Sequence, residues 1–333
     1  MKRKFAVFFS AVVLIVSMLM FSCSGKYYDE VKPTRAENTT VITTSYGDIK
    51  YDLFRAFYLT GVSAGKDSDT AAENALLFVS GIYAIFSECE NVGIDTESNK
   101  VMNKVDDMIV ASVDGGEIDG IKYQGYGSFD AYLSALKEQG LTDRVNRLII
   151  RSYVCEQLLT EYYLSKENIP DENLVREYFA SDDCIRITWL STEIEENAKK
   201  ALQELSSKET EKEIVSTLIK YTPNATSGYE DGWYIGKYEG GDNYKEVMKV
   251  AFELTVEKYS DIVRDNNGMY YIIYRMTKED SYIDSNYDDV RTSYLYNLMR
   301  KNISERANDI AGSASFTQAY NDYMQNPSSI NME

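Results

Sequence analysis

The hydrophobic pattern of the chain changes at residues 181–183, and this change limits the fold more than any other feature. Before it, apolar side chains recur at three- and four-residue spacing, as at Ala75, Phe78 and Ile82, which is the period of an amphipathic helix. After it, residues 184–190 alternate apolar and polar side chains over part of their length, which indicates a strand. The sequence therefore predicts an α+β protein whose first region is mostly helical.

Apolar spacing and turn residues place the other elements. Two short β-prone pieces flank the turn at 46–48, Asp95 or Thr96 is expected to cap a helix, and residues 115–127 are expected to form a glycine-rich loop. The segment 222–242 is also predicted as a loop, and helix is expected again over 288–325. Further helices are predicted over 52–60, 71–89, 132–139, 144–165, 173–179, 193–205, 209–221 and 247–254, and further strands over 260–264 and 269–276.

The first 25 residues have the composition of a secretory leader. Residues 2–4 are basic, residues 5–21 are apolar, and small residues follow, which is the order found in a signal peptide. We therefore expect residues 1–22 to be removed and residues 23–39 to form a polar tether. An extracytoplasmic location follows from this prediction.

The segment 20–23, with the sequence Met-Phe-Ser-Cys, resembles a bacterial lipobox. In that family the Cys thiol receives a diacylglycerol and the new N-terminus is then acylated, so the resemblance implies lipidation of Cys23. Several acyl chains hold a protein at a bilayer more firmly than one. The implied anchor is the bacterial cell membrane, or the outer membrane where the cell has two. An ordinary leader with a chance Cys is the alternative.

Charge and residue content exclude several functions. The net charge of −18 opposes binding to nucleic acid, which requires a cationic surface. The chain has no His, so it lacks His-dependent triads and His-ligated zinc. No metal or other cofactor is expected. After Cys23 only Cys89, Cys155 and Cys184 remain; they permit at most one disulfide, and buried free thiols are the favoured prediction.

Five short pieces of the second region occur in a recognisable order. They comprise a strand, a glycine-aromatic loop, a helix end and two strands of a closing hairpin. The pieces are residues 185–190, then Gly228, Gly232, Trp233 and Tyr234, then residues 251–254, 259–263 and 268–273.

In this order the pieces resemble a parvulin-type peptidyl-prolyl isomerase domain. The resemblance implies that the domain covers residues 181–280. That family encloses the prolyl ring in a cup with two His residues, a Cys or Asp, and apolar walls. Here the His positions fall at Thr188 and Tyr271, and the wall Phe falls near Val247. The acid or thiol position falls within residues 221–224, where neither type occurs. The resemblance therefore implies a degenerate cup with no catalytic residue.

The residues before this domain resemble the N-terminal chaperone module of PrsA- and SurA-type foldases. The match includes residues 52–55, 93–95, 129–133 and 173–179. The resemblance implies a helical chaperone module over residues 40–180, with C-terminal helices over 281–333 packing on it and the parvulin-like domain inserted between them. Trp233, Tyr234 and Phe252 are the weak candidates for substrate binding that it implies.

The implied function is a lipid-anchored folding factor that binds unfolded or nascent secreted polypeptides in an apolar, Tyr-rich groove of the helical module. The 28 tyrosines suit such a surface, because each combines an apolar body with a polar tip. Two alternatives stay open: an active prolyl isomerase, and a structural or client-specific envelope lipoprotein. A homodimer also stays open.

Overall fold

The computed structural model describes residues 27–223, 225, 228–239 and 244–326. The predicted leader and the predicted lipidation of Cys23 therefore lie outside the described residues. The described chain divides into two compact units. We call residues 27–162 with 299–326 the helical unit and residues 163–298 the sheet unit. The domain boundaries at 181 and 280 predicted from the sequence lie inside the sheet unit.

The helices and strands of the described residues have the following bounds. The helices are α1 Tyr51–Ser63, α2 Ser68–Asn91, α3 Asn99–Asp114, α4 Phe129–Glu138, α5 Asp143–Tyr163, α6 Glu172–Ala180, α7 Glu195–Leu205, α8 Glu211–Tyr221, α9 Lys245–Glu253, α10 Tyr282–Ser285, α11 Tyr287–Gly312 and α12 Gln318–Gln325. The strands are β1 Thr40–Thr43, β2 Asp48–Lys50, β3 Gly116–Ile118, β4 Ile121–Tyr123, β5 Cys184–Thr192, β6 Trp233–Gly236, β7 Lys258–Tyr259, β8 Val263–Arg264, β9 Tyr270–Met276 and β10 Ser315–Phe316. The predicted α+β class is confirmed.

The helical unit joins both ends of the described chain in one small sheet. Strand β1 pairs antiparallel with β2 and with β10, and Ile42 lies opposite Phe316. Helix α12 adds Tyr323, whose ring meets Tyr51 edge-on at 5.0 Å. Both tyrosines are almost fully buried, so aromatic packing fixes α12 against α1.

Helix α2 is the longest helix that lies wholly in the helical unit. It is long and apolar enough to cross a membrane, but half of its most apolar stretch is buried inside the protein. Its start is capped by Asp67, whose carboxylate accepts from the backbone N–H of Thr70. We interpret α2 as a core helix.

Three local predictions for the helical unit are wrong. The N-cap position of α3 is Ser98, whose side chain makes no capping hydrogen bond, and not Asp95 or Thr96; Asp95 accepts from the N–H of Glu97 instead. The expected loop 115–127 contains the hairpin β3–β4. The expected helix 288–325 stops at Gly312, because β10 adds to β1 before α12 begins.

The sheet unit has its core on both faces of one antiparallel sheet. The strand order is β6-β5-β9-β7, and β8 also pairs with β9. Helices α7 and α8 cover one face, packing on Leu190, Ile272 and Tyr274. Helix α9 covers the other face through Val247 and its neighbours. The predicted loop 222–242 is wrong at β6, which forms an edge of this sheet.

The cysteines are buried, as predicted. Cys89 and Cys155 lie in the helical unit and Cys184 lies in the sheet unit, and all three are free. Burial raises the pKa of the Cys184 thiol to about 12. Cys184 is therefore protonated and packs as a small apolar side chain.

Candidate functional site

The face of the sheet that α9 covers carries the candidate site in the sheet unit. Strands β5 and β9 are antiparallel, with Trp189 opposite Ile273 and Ser191 opposite Tyr271. Side chains alternate between the faces of a strand. Trp189 and Tyr271 therefore share one face, and both pack in the same apolar cluster as Val247.

Aromatic side chains dominate this face. The two indole rings, Trp189 and Trp233, have centroids 5.2 Å apart, and Tyr229 meets Trp233 edge-on at 4.7 Å. Tyr244 stacks parallel to Trp189 at 6.2 Å, and Tyr271 meets Trp189 edge-on at 5.9 Å. All but Tyr271 are only half-buried. We call Trp189, Tyr229, Trp233, Tyr244 and Tyr271 the aromatic cluster.

A glycine places Trp233 in the aromatic cluster. Gly232 has φ +66°, and a Cβ there would lie 2.6 Å from the Met276 Sδ and 2.8 Å from the Ile187 carbonyl oxygen. Only glycine combines this backbone conformation with so close an approach. This local requirement explains why glycine precedes Trp233 in the glycine-aromatic loop.

The only hydroxyl of the predicted cup that lies on this face is already hydrogen-bonded. Tyr271 Oη donates to Asp265 Oδ2 at 3.2 Å, and both residues are buried. Burial is the main cause that raises the pKa of Tyr271, and nearby Tyr244 and Asp265 raise it further. Asp265 also accepts the backbone N–H of Asn267 and of Met269, so this carboxylate holds the turn before β9.

Thr188 lies on the opposite face of the sheet. It is opposite Tyr274 on β9, three residues from Tyr271, and it is fully buried. Its Oγ1 donates to the carbonyl oxygen of Tyr229 at 2.8 Å. The structure therefore does not bring Thr188 and Tyr271 together at one cup, and Thr188 supports the loop that carries Tyr229.

The remaining predicted residues divide between two places. Val247 is fully buried and Phe252 partly buried, both in the core beneath the aromatic cluster. Tyr234 packs elsewhere: its ring stacks on Tyr282 at 3.9 Å and on Phe179 at 5.4 Å. Trp233 is thus the one predicted binding residue that belongs to the aromatic cluster.

Sequence reasoning missed three members of the aromatic cluster. Trp189 had a usable signal, because it follows Ile187 by two residues in a strand and must share its face. Tyr229 and Tyr244 are far from β5 in sequence, and nothing in their local patterns indicates that they meet Trp189. Only tertiary packing brings them there.

The arrangement suits binding better than acid–base chemistry. Aromatic rings offer large apolar faces to extended segments and to prolyl rings. Tyr271, with its pKa raised, keeps its proton at neutral pH. Among the described residues, no group of three or more His, Cys, Asp or Glu side chains is placed to hold a metal ion.

The helical unit contains a cavity of about 510 Å³. It opens between the β1–β2 turn, helices α2 and α5, and the segment before α3. The lining residues include Tyr46, Tyr83, Phe86, Leu148 and Arg151, with Glu90, Asp95 and Glu97 adding acidic groups. The walls are therefore aromatic and charged, and not purely apolar as the predicted groove would be.

Hydrogen bonds and stacking order the walls of this cavity. Tyr46 Oη donates to Glu90 Oε1 at 2.8 Å. Burial is the largest cause that raises the pKa of Tyr83 to about 12. The Arg151 guanidinium lies 4.6 Å from the centroid of Phe86 and pairs with Glu97 at 3.2 Å. The Arg151 Nε is buried and has no hydrogen-bond partner in the described residues.

The helical unit also leaves apolar side chains exposed at the α1–α2 hairpin. Leu77 is 51% and Phe78 42% exposed, and Val62 is 41% exposed. Phe78 stacks on Phe57 at 4.2 Å. Exposed apolar side chains of this size are candidates for contact with another polypeptide.

Comparison with known proteins finds likeness among solved structures only. No family model matches the chain, and no curated protein matches it. The structure is similar to the foldase protein PrsA from Streptococcus pneumoniae, at 17% identity and a TM-score of 0.30, over 86% of this chain and 98% of that one. It is similar to PrsA from Bacillus subtilis, at 17% identity and a TM-score of 0.27, over 87% and 98%.

A third similar structure is a SurA-like chaperone from Campylobacter jejuni. The identity is 12% and the TM-score 0.25, over 84% of this chain and 99% of that one. The chain thus resembles PrsA/SurA-type foldases.

Proposed function

We propose that the protein is an extracytoplasmic folding factor that binds unfolded secreted polypeptides and is anchored to the membrane through a lipid on Cys23. The observation that carries this proposal is the aromatic cluster: a set of rings, all but Tyr271 partly exposed, whose nearby polar groups are already paired. Tyr271 is hydrogen-bonded to Asp265, and Thr188 is hydrogen-bonded to the Tyr229 carbonyl. A surface of this kind binds by apolar burial and needs no catalytic group.

The proposal includes a parvulin-like domain without efficient isomerase activity. Rotation about a peptide bond has a barrier of about 18–20 kcal/mol, and catalysis requires groups that desolvate and twist the imide while they hold its carbonyl. Thr188 and Tyr271 lie on opposite faces, so they do not act together on one imide. The domain then contributes a binding surface for extended segments.

Two assays test the proposal together. In a protease-coupled prolyl isomerisation assay, we expect the full chain to give a rate close to that of the uncatalysed reaction. In light-scattering assays with several unrelated unfolded clients, we expect it to suppress aggregation. A rate enhancement comparable to that of active parvulins would establish the isomerase alternative. Failure with every client except one tight partner would favour the client-specific lipoprotein.

The anchor is tested separately. Cys23→Ser should move the chain from the membrane fraction to the soluble extracytoplasmic fraction, because the lipid attachment site is lost. Cys184→Ser is the matched control, since Cys184 is a buried thiol of the sheet unit, and it should leave the chain at the membrane. A Cys23→Ser protein that stays with the membrane would contradict lipidation.

A further inference from the structure

Two of the buried thiols lie against each other in the core of the helical unit. Cys89 is near the end of α2 and Cys155 is within α5, and both are completely buried. Cys89 Sγ donates to the Cys155 carbonyl oxygen at 3.6 Å. Helices α2 and α5 thus meet at these two small sulfur-bearing residues.

The environment makes the two sulfurs unequal. The hydrogen bond between the two cysteines is the first cause that raises the pKa of Cys89 and lowers that of Cys155. Arg151, one helical turn before Cys155, lowers the pKa of Cys155 further.

We propose that Cys89 and Cys155 form a disulfide bond that joins α2 to α5 in the mature protein. The inference rests on the proposed function for its compartment, because disulfides form and persist outside the cytosol. The oxidant belongs to the class of small or protein disulfides, such as oxidised glutathione. Cys184 takes no part, since it lies in the other unit.

The chemistry is two successive thiol–disulfide exchanges. The thiolate of one cysteine attacks one sulfur of the oxidant, which forms a mixed disulfide and releases one thiolate. The other cysteine gives up its proton and its sulfur attacks the sulfur of the first cysteine, which releases the second thiolate. Two cysteine thiols are oxidised and one disulfide of the oxidant is reduced to two thiols. Since both sulfurs are fully buried, the exchange takes place while the helices are still closing or have opened locally.

The bond closes a long loop and should therefore stabilise the helical unit. The two cysteines are 66 positions apart, and cross-linking a loop of this size removes much of the freedom of the unfolded chain. We expect the linked form to melt about 5–10 °C above the reduced form. The bond should also hold the walls of the cavity in place. Phe86 and Glu90 lie on α2 beside Cys89, and Arg151 lies on α5 one turn before Cys155.

The experiment has two arms with the full chain. In the first, cells are quenched with N-ethylmaleimide, and the protein is purified from membranes and digested for mass spectrometry. In the second, the reduced, unfolded chain is refolded in a buffer of reduced and oxidised glutathione and digested in the same way. We expect a linked peptide pair containing Cys89 and Cys155 in both arms. Cys155→Ala should abolish the pair and Cys184→Ala should leave it intact.

The outcomes separate this inference from the proposed function. If refolding in glutathione gives no linked pair, or links Cys184 as often as Cys89, the inference is overturned. If refolding gives the pair but cellular protein carries both cysteines as thiols, the proposed disulfide of the mature protein is overturned, while the proposed function stands, because client binding by apolar burial needs no disulfide. A melting temperature of the linked form no higher than that of Cys155→Ala would contradict the stabilising role.

Discussion

Asp52 on α1 and Arg144 on α5 form a two-point ion pair in the helical unit. Arg144 Nη2 lies 2.5 Å from Asp52 Oδ1, and Arg144 Nε lies 3.1 Å from Asp52 Oδ2. Thr142 Oγ1 donates to the same carboxylate at 3.0 Å. The Asp52 side chain is 2% exposed, so loss of its bidentate partner would leave a buried carboxylate without a charge partner.

Removing the cation should destabilise the helical unit strongly. Arg144→Ala leaves the Asp52 carboxylate buried without its charge partner, and this change should cost about 3–5 kcal/mol. Urea denaturation followed by circular dichroism measures the loss. Lys50→Ala is the matched control, because the Lys50–Asp48 pair is exposed and should be worth about 0–1 kcal/mol. Equal effects of the two substitutions would contradict a special role for the buried pair.

The sequence predicted the elements better than it predicted the faces of the strands. Strand β5 and helix α2 follow from local periodicity, and the structure confirms both. Placing Thr188 and Tyr271 in one cup required the exact pairing of β5 with β9. A shift of one residue moves a side chain to the other face, and no local pattern fixes that register.

The other misses have separate physical causes. The hairpin β3–β4 was available from the sequence, because Asp119-Gly120 between two Ile residues is a strong turn signal; both residues have positive φ. The end of α11 at Gly312 could be predicted from the sequence only in part, because β10 is a strand only through its pairing with β1. That partner is about 270 residues away, and local patterns do not report it.

Both tryptophans of the chain belong to the aromatic cluster, so tryptophan fluorescence reports on this site alone. Trp189 and Trp233 are the two tryptophans in the sequence, and their rings are 5.2 Å apart. Binding of an unfolded, proline-containing client should shift their emission, because ligand contact removes water from partly exposed rings. A saturable shift during titration is the expected result.

The affinity measured with a fluorescently labelled client should depend on the same rings. Trp233→Ala should weaken binding about tenfold, which corresponds to about 1.4 kcal/mol. A loss of this size is expected when one aromatic contact and the apolar area that it buries are removed. Tyr234→Phe is the control, since Tyr234 packs on Tyr282 away from the cluster. Unchanged affinity in Trp233→Ala would move the binding surface elsewhere.

Gly232→Ala should lower the folding stability of the sheet unit more than an ordinary loop substitution does. The new Cβ would approach the Ile187 carbonyl oxygen to 2.8 Å, and the backbone has φ +66°. We expect a loss of about 1–3 kcal/mol from this strain, with a change in tryptophan emission as Trp233 moves. Thermal unfolding and emission spectra measure both effects.

The control for Gly232→Ala is another glycine with open space around it. Gly47→Ala meets no atom within 4 Å and is not at a positive φ. It should change the melting temperature little. A neutral Gly232→Ala would show that the segment before β6 adjusts freely.

Glu239 should make the sheet unit more stable in acid. Burial raises the pKa of its carboxyl, and its Oε1 accepts from Asn297 Nδ2 at 2.9 Å. Because the folded-state pKa lies above the unfolded value, the stabilising contribution is complete below the unfolded pKa and is lost as pH rises through the folded pKa. Glu239→Gln mimics the protonated form, so it should be more stable than the natural chain at pH 7 and equal to it near pH 4.

Glu195→Gln supplies a comparison of opposite sign. The hydrogen bond from Lys199 lowers the pKa of the exposed Glu195 carboxyl, so its contribution is present above the unfolded pKa and lost as pH falls through the folded pKa. This variant should therefore be slightly less stable than the natural chain at pH 7, with the difference vanishing in acid. Urea midpoints at a series of pH values test both variants. If Glu239→Gln and Glu195→Gln change stability in the same direction at pH 7, burial does not control the Glu239 carboxyl.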